Sequence, residues 1–124
     1  MKKQIATTKA PGAIGPYSQG IDVGSIVFVS GQIPVDPATG AIAEGITAQT
    51  TQSLANVKAI LAEAGLTVDN VVKTTVFLAD MGDFTAMNEV YASVFTAPFP
   101  ARSAVAVREL PKGVLVEIEV IAVR

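Results

Sequence analysis

The sequence predicts an α+β fold, a mixed sheet with two helices packed on one face. Three observations lead there. β-branched runs stand near both ends of the chain and once in its middle. Two segments between them carry apolar residues at spacings of three and four. Glycine and proline are scattered as single turn signals, without a linker, repeat or low-complexity tract. A chain of 124 residues, half of them hydrophobic, is expected to form one domain over residues 1–124, with apolar surface to spare for a subunit interface.

In chain order, residues 3–7 read as a short edge strand and Ala10 to Tyr17 as an irregular loop. Ser18–Val23 and Ile26–Gly31 are β-rich runs separated by Gly24-Ser25, a hairpin signal. Pro34 to Gly40 is loop and turn. From Thr47 to Ala64 the pattern is helical: Leu54, Val57, Leu61 and Ala64 share a stripe, and Gly65 supplies a stop. Val71–Leu78 is a strand. Asp80 or Asp83 caps a second helix whose stripe is Phe84, Met87, Tyr91 and Phe95, and Pro98 and Pro100 end it. Arg102–Arg108 and Val114–Val123 complete the set as strands joined by a turn around Leu110 to Gly113.

Composition excludes several kinds of chemistry. Cysteine and histidine are both absent, which removes disulfides, thiol nucleophiles, the usual zinc sites and Ser-His-Asp triads. Any metal would have to sit on carboxylates alone, and none is expected. The formal charge is −2, with nine basic residues scattered among eleven acidic ones, so the basic field of a nucleic-acid binder is missing. No apolar run approaches the roughly 18 residues of a membrane span. A cytoplasmic protein without nucleic-acid or membrane partners is expected.

Treated as a hairpin, the last two strands give the sharpest expectation. Val114, Val116, Ile118, Val120 and Ala122 share one face of the second strand; Leu115, Glu117, Glu119 and Ile121 share the other. Matching apolar faces then sets Arg102 beside Glu117 and Glu119. An ordinary cross-strand ion pair in solvent would contribute only ~0.2–1 kcal/mol. Leu115, Ile121 and Val123 make that face too apolar for plain exposure, which points to a covered cleft or subunit contact. Asn88 lies within the apolar stripe of the second helix, where its amide needs a partner.

Pro100-Ala-Arg-Ser103, Leu110 and Val116-Glu-Ile118 together resemble the signature of the Rid family, the reactive intermediate/imine deaminase group also called the YjgF family. Gly15-Pro-Tyr-Ser-Gln19, Val29-Ser-Gly-Gln-Ile33 and Val72-Lys-Thr-Thr-Val-Phe77 agree in order and spacing. The resemblance spans about Lys3 to Arg124. It implies a chorismate-mutase-like unit assembled as a homotrimer, with clefts between neighbouring subunits. It also implies hydrolysis of 2-iminopropanoate and 2-iminobutanoate to 2-keto acids and ammonia. Such imines are released by pyridoxal-phosphate enzymes acting on serine and threonine; the deaminase itself uses no cofactor.

By the same resemblance, Arg102 is the clamp for the substrate carboxylate, which a planar guanidinium fork suits better than an ammonium. Glu117 holds and activates water. Tyr17 and Asn88 line the cleft, and Ser30-Gly31 is a strand end whose backbone approaches the ligand. Ala104 stands where many members carry cysteine, which rules out essential thiol chemistry; its backbone remains a candidate ligand contact. Two alternatives stand beside catalysis: a non-catalytic trimer that binds keto or imino acids through Arg102, and a ribonuclease, against which the acidic balance and missing histidine argue.

Overall fold

The computed structural model describes all 124 residues, 1–124. Six strands form one sheet: β1 (Lys3–Ile5), β2 (Gly20–Asp22), β3 (Ile26–Gln32), β4 (Val71–Leu78), β5 (Ala101–Ala106) and β6 (Val116–Val123). Two helices, α1 (Ile46–Glu63) and α2 (Phe84–Val94), cover one face of it. The expected α+β architecture is present.

The strand order is β1-β2-β3-β6-β4-β5. β1, β2 and β3 form an antiparallel meander, with Gly24 at positive φ in the turn between β2 and β3. β6 pairs antiparallel with β3 on one side and β4 on the other. β4 and β5 pair in parallel, so α2 is the crossover of a βαβ unit.

That pairing overturns the expected final hairpin. β5 and β6 are consecutive in sequence, yet β4 lies between them, and the turn at Pro111–Gly113 leads β6 past β4 instead of back along β5. The faces change with it. Arg102 aligns with Thr74, which aligns with Val120 on the helix-covered side. Glu117 aligns with Phe77 and, through it, Val105 on the opposite side. Arg102 and Glu117 therefore do not share a face.

Period-two alternation builds the core. Thr74, Val76 and Leu78 of β4, with Val116, Ile118, Val120 and Ala122 of β6, point towards the helices and are buried. Leu54, Val57, Ile60 and Leu61 of α1 and Met87 and Tyr91 of α2 meet them. The other sheet face is open in the single chain. It carries Phe28, Phe77, Val105, Ile121 and Val123 around Glu117 and Glu119, and Phe28 and Val105 are 43% and 47% exposed. Element ends differ from expectation by a few residues. Asp80 caps a single 3-10 turn, Met81–Asp83, by accepting from the Gly82 N–H at 2.7 Å, and that turn feeds α2; Asp83 occupies the cap of α2 without a side-chain bond.

Candidate functional site

Arg102 lies on the edge strand β5, half-buried beneath α2. Three residues of the α2 stripe hold it. Its Nη1 donates to Asn88 Oδ1 at 2.5 Å, and its guanidinium lies over the rings of Tyr91 and Phe84, 4.7 and 5.4 Å from their centroids. Tyr91 is itself pinned, its hydroxyl 2.8 Å from Thr74 Oγ1 in the core. The amide predicted to need a partner thus finds it in the predicted clamp. Arg102 pairs with no carboxylate of its own chain; the one ion pair is Arg124–Asp22. Its remaining N–H donors have no protein acceptor. A cavity of about 410 Å³ opens beside it, lined by Asn88, Tyr91, Ala92, Phe99, Pro100 and Arg102. A preoriented fork with free donors at a cavity wall fits a small carboxylate.

Glu117 stands on the open face of β6 and leans over the backbone of β3 at Gly31. Burial pushes its carboxyl above the ordinary value of 4.5, and the neighbouring carboxylate of Glu119 adds to the rise. The β3–β6 ladder shifts register between Val29 and Gln32, a bulge in which Ser30 and Gly31 together oppose Glu119. Ser30 fastens this bulge to the chain before β2: its Oγ donates to the Ser18 carbonyl at 2.6 Å and its N–H to the Gln19 carbonyl at 2.9 Å. Tyr17, half exposed, directly precedes Ser18, whose carbonyl holds Ser30. Ala104 shares the face of Arg102 and packs against the core.

The sequence-predicted residues thus fall into two groups: Arg102, Asn88 and Ala104 on the helix side of β5, and Glu117, Gly31, Ser30 and Tyr17 around β3 and β6. The Arg102 and Glu117 rows lie three residues apart along the strands and two strands apart across the sheet. Their Cα atoms are therefore about 14 Å apart, with side chains on opposite faces. Sequence reasoning missed Phe84 and Tyr91 as the platform for the guanidinium, although both were in the predicted α2 stripe. Pro100, read as a helix stop and as the start of the signature, also lines the cavity, together with Phe99. No cluster of three or more acidic, histidine or cysteine side chains is arranged to hold a metal ion, and no helix is long and apolar enough to cross a membrane.

The likeness to known proteins extends over the whole chain. A 2-iminobutanoate/2-iminopropanoate deaminase of Salmonella typhimurium is 61% identical over 127 aligned positions, covering 100% of this chain and 99% of that protein. The protein of the same description from Escherichia coli strain K12 is 56% identical with the same coverage. The crystal structure of E. coli TdcF with bound serine superimposes with a TM-score of 0.96 at 55% identity, covering 98% of each chain. The family model described as endoribonuclease L-PSP matches residues 7–124, and the chain accordingly belongs to that family, the YjgF/Rid family.

Proposed function

We propose that this protein hydrolyses 2-iminobutanoate and 2-iminopropanoate to the corresponding 2-keto acids and ammonia, as a homotrimer with its sites between subunits. The observation that carries the reading is Arg102: a half-buried guanidinium, stacked on Tyr91, with free donors and no carboxylate partner in its own chain. A 2-imino acid brings the missing carboxylate. Full-length relatives described as deaminases of these two imines support the substrate class.

The chemistry asks little more of the protein. Arg102 fixes the substrate carboxylate, and Asn88 and Tyr91 fix Arg102. Glu117 accepts a proton from water as the oxygen adds to the carbon of the protonated imine, giving a neutral tetrahedral carbinolamine. Return of that proton to nitrogen makes ammonia the leaving group; as the C–N bond breaks, the carbinolamine hydroxyl gives its proton to the regenerated Glu117 carboxylate, leaving the keto acid. The raised carboxyl of Glu117 suits both halves of this exchange. Tyr17 and the Ser30-Gly31 backbone line the same side, and Ala104 lies beside the clamp. No metal or cofactor enters the scheme, and a cytoplasmic setting goes with it.

The intersubunit arrangement follows from reach. A four-carbon imino acid cannot span about 14 Å and two faces of one sheet, so the clamp and the carboxylate must come from different chains if both are to touch it. The open face, with Phe28, Val105, Ile121 and Val123, supplies apolar surface for that contact. The direct test couples a threonine dehydratase to this protein and follows 2-ketobutyrate formation with and without a chelator. Acceleration over the spontaneous rate, unaffected by chelation, is expected. A rate equal to the spontaneous one refutes the activity.

A further inference from the structure

We infer that Gly31 is a positioning residue for Glu117: the missing side chain leaves the niche over the β3 backbone in which the Glu117 carboxylate lies. The inference rests on the reading of Glu117 as the group that activates water. A methyl group at Gly31 would stand 2.8 Å from Glu117 Cδ and 3.1 Å from its Cγ, and closer still to Oε2. Nothing else lies nearer, so the space a side chain would need is the space that carboxylate fills.

The backbone does not demand glycine here. Six other glycines have positive φ; Gly31 does not, so alanine meets no conformational strain at this position. Nor can the bulge retreat to make room. Ser30 is tied to the Ser18 and Gln19 carbonyls on one side. On the other, the Gln32 carbonyl accepts from Ser53 Oγ at 2.6 Å, within the core. Of the two parties to the clash, the strand is fixed and the glutamate side chain is free to rotate. Glu117 is therefore what moves. Misplacing a reacting group by about 1 Å costs about 10²-fold in rate.

The test is Gly31→Ala, alone and combined with Glu117→Asp, whose carboxylate is drawn back by one methylene. The single variant is expected to melt near the wild-type temperature and to bind 2-ketobutyrate as the wild type does. Its kcat should fall about 10²-fold. Glu117→Asp, damaging on its own, should restore part of that loss on the Gly31→Ala background. An unchanged kcat overturns the inference. So does weakened 2-ketobutyrate binding with a double variant no better than the worse single one, because the methyl then obstructs the ligand. Should Gly31→Ala unfold the protein, the same change on a Glu117→Ala background decides: recovery supports the clash with Glu117, and continued unfolding overturns it.

A second readout needs no turnover. In ¹³C-labelled protein the Glu117 carboxyl should titrate closer to an ordinary glutamate after Gly31→Ala, because it leaves its half-buried niche. The charged groups sharing its face are Glu119 on the same strand and Lys73 on β4; β3 and β5 add none there. An unmoved midpoint overturns the positioning role. If the wild type itself fails to hydrolyse imines, the proposed function falls and this titration alone judges Gly31.

Discussion

Mixing two inactive variants should restore activity if the site is shared between subunits. Arg102→Ala removes the clamp and leaves Glu117 intact; Glu117→Gln does the reverse. In one chain the two residues are about 14 Å apart and on opposite sheet faces, so neither variant can repair its own site. Across an interface the two intact residues can meet. In a cyclic trimer assembled at random from equal amounts, a site works only when its Arg102 comes from one parent and its Glu117 from the other. That combination occurs at about one quarter of interfaces. The variants would be denatured together, refolded and assayed for 2-ketobutyrate production, with native mass spectrometry verifying mixed trimers. Recovery to about a quarter of wild-type turnover is expected. Mixed trimers no more active than the parents would refute the intersubunit site.

Four further outcomes follow from the geometry. Arg102→Lys keeps the charge but loses the fork and its stack on Tyr91, and truncated buried charges cost about 2–5 kcal/mol. At the low end of that range, 2-ketobutyrate binding by calorimetry should weaken by about 30-fold. Glu117→Gln should lower turnover while 2-ketobutyrate still binds. Activity in the wild type should fall with acid through an apparent pKa above 4.5, and Glu119→Gln should move that limb down in part, burial being the larger cause. Because the folded-state carboxyl is raised, its stabilising contribution is complete below the ordinary value and is lost as pH rises through the raised one. Tyr91→Phe keeps the ring under Arg102 but leaves the buried Thr74 hydroxyl unpaired, so unfolding by denaturant should show a loss of about 1–3 kcal/mol.

Most of the architecture was legible in the sequence because period and punctuation agreed. The α2 stripe, the alternation of β6 and the Gly24-Ser25 turn each had a single physical solution. The partner of β5 did not. Leu110 to Gly113 reads as a hairpin turn, and consecutive strands are usually neighbours. Local sequence does not record that β4 occupies the intervening place. Its own alternation misled as well. Val105 looks like the core residue of β5, yet it is 47% exposed, whereas Ala104 packs on the core and Arg102 lies beside it under α2. A small residue suffices where an aromatic stripe descends onto an edge strand, and an arginine is tolerated there because its flat face stacks on those rings. The need of Asn88 for a partner was legible; the identity of that partner required the fold. Gly31 was read as a strand end, and only the β3 bulge reveals what its missing side chain leaves room for.

The polar stripe of α1 has a bearing on where this protein can change. Ser53 holds the Gln32 carbonyl, Asn56 holds those of Ile33 and Val35, and Gln49 bridges the Ala43 carbonyl and the Leu115 N–H. Every one of these bonds is made to main chain. The route of the segment leaving β3 is therefore encoded in the helix, and the side chains of that segment are released from the task of defining it. Ile33 and Val35 are thus open to variation that would reshape the rim of the fold, while three helical positions hold the main chain that leaves the bulge beneath Glu117: Ser53 and Asn56, with Gln52 bonding the Asn56 amide oxygen at 2.9 Å.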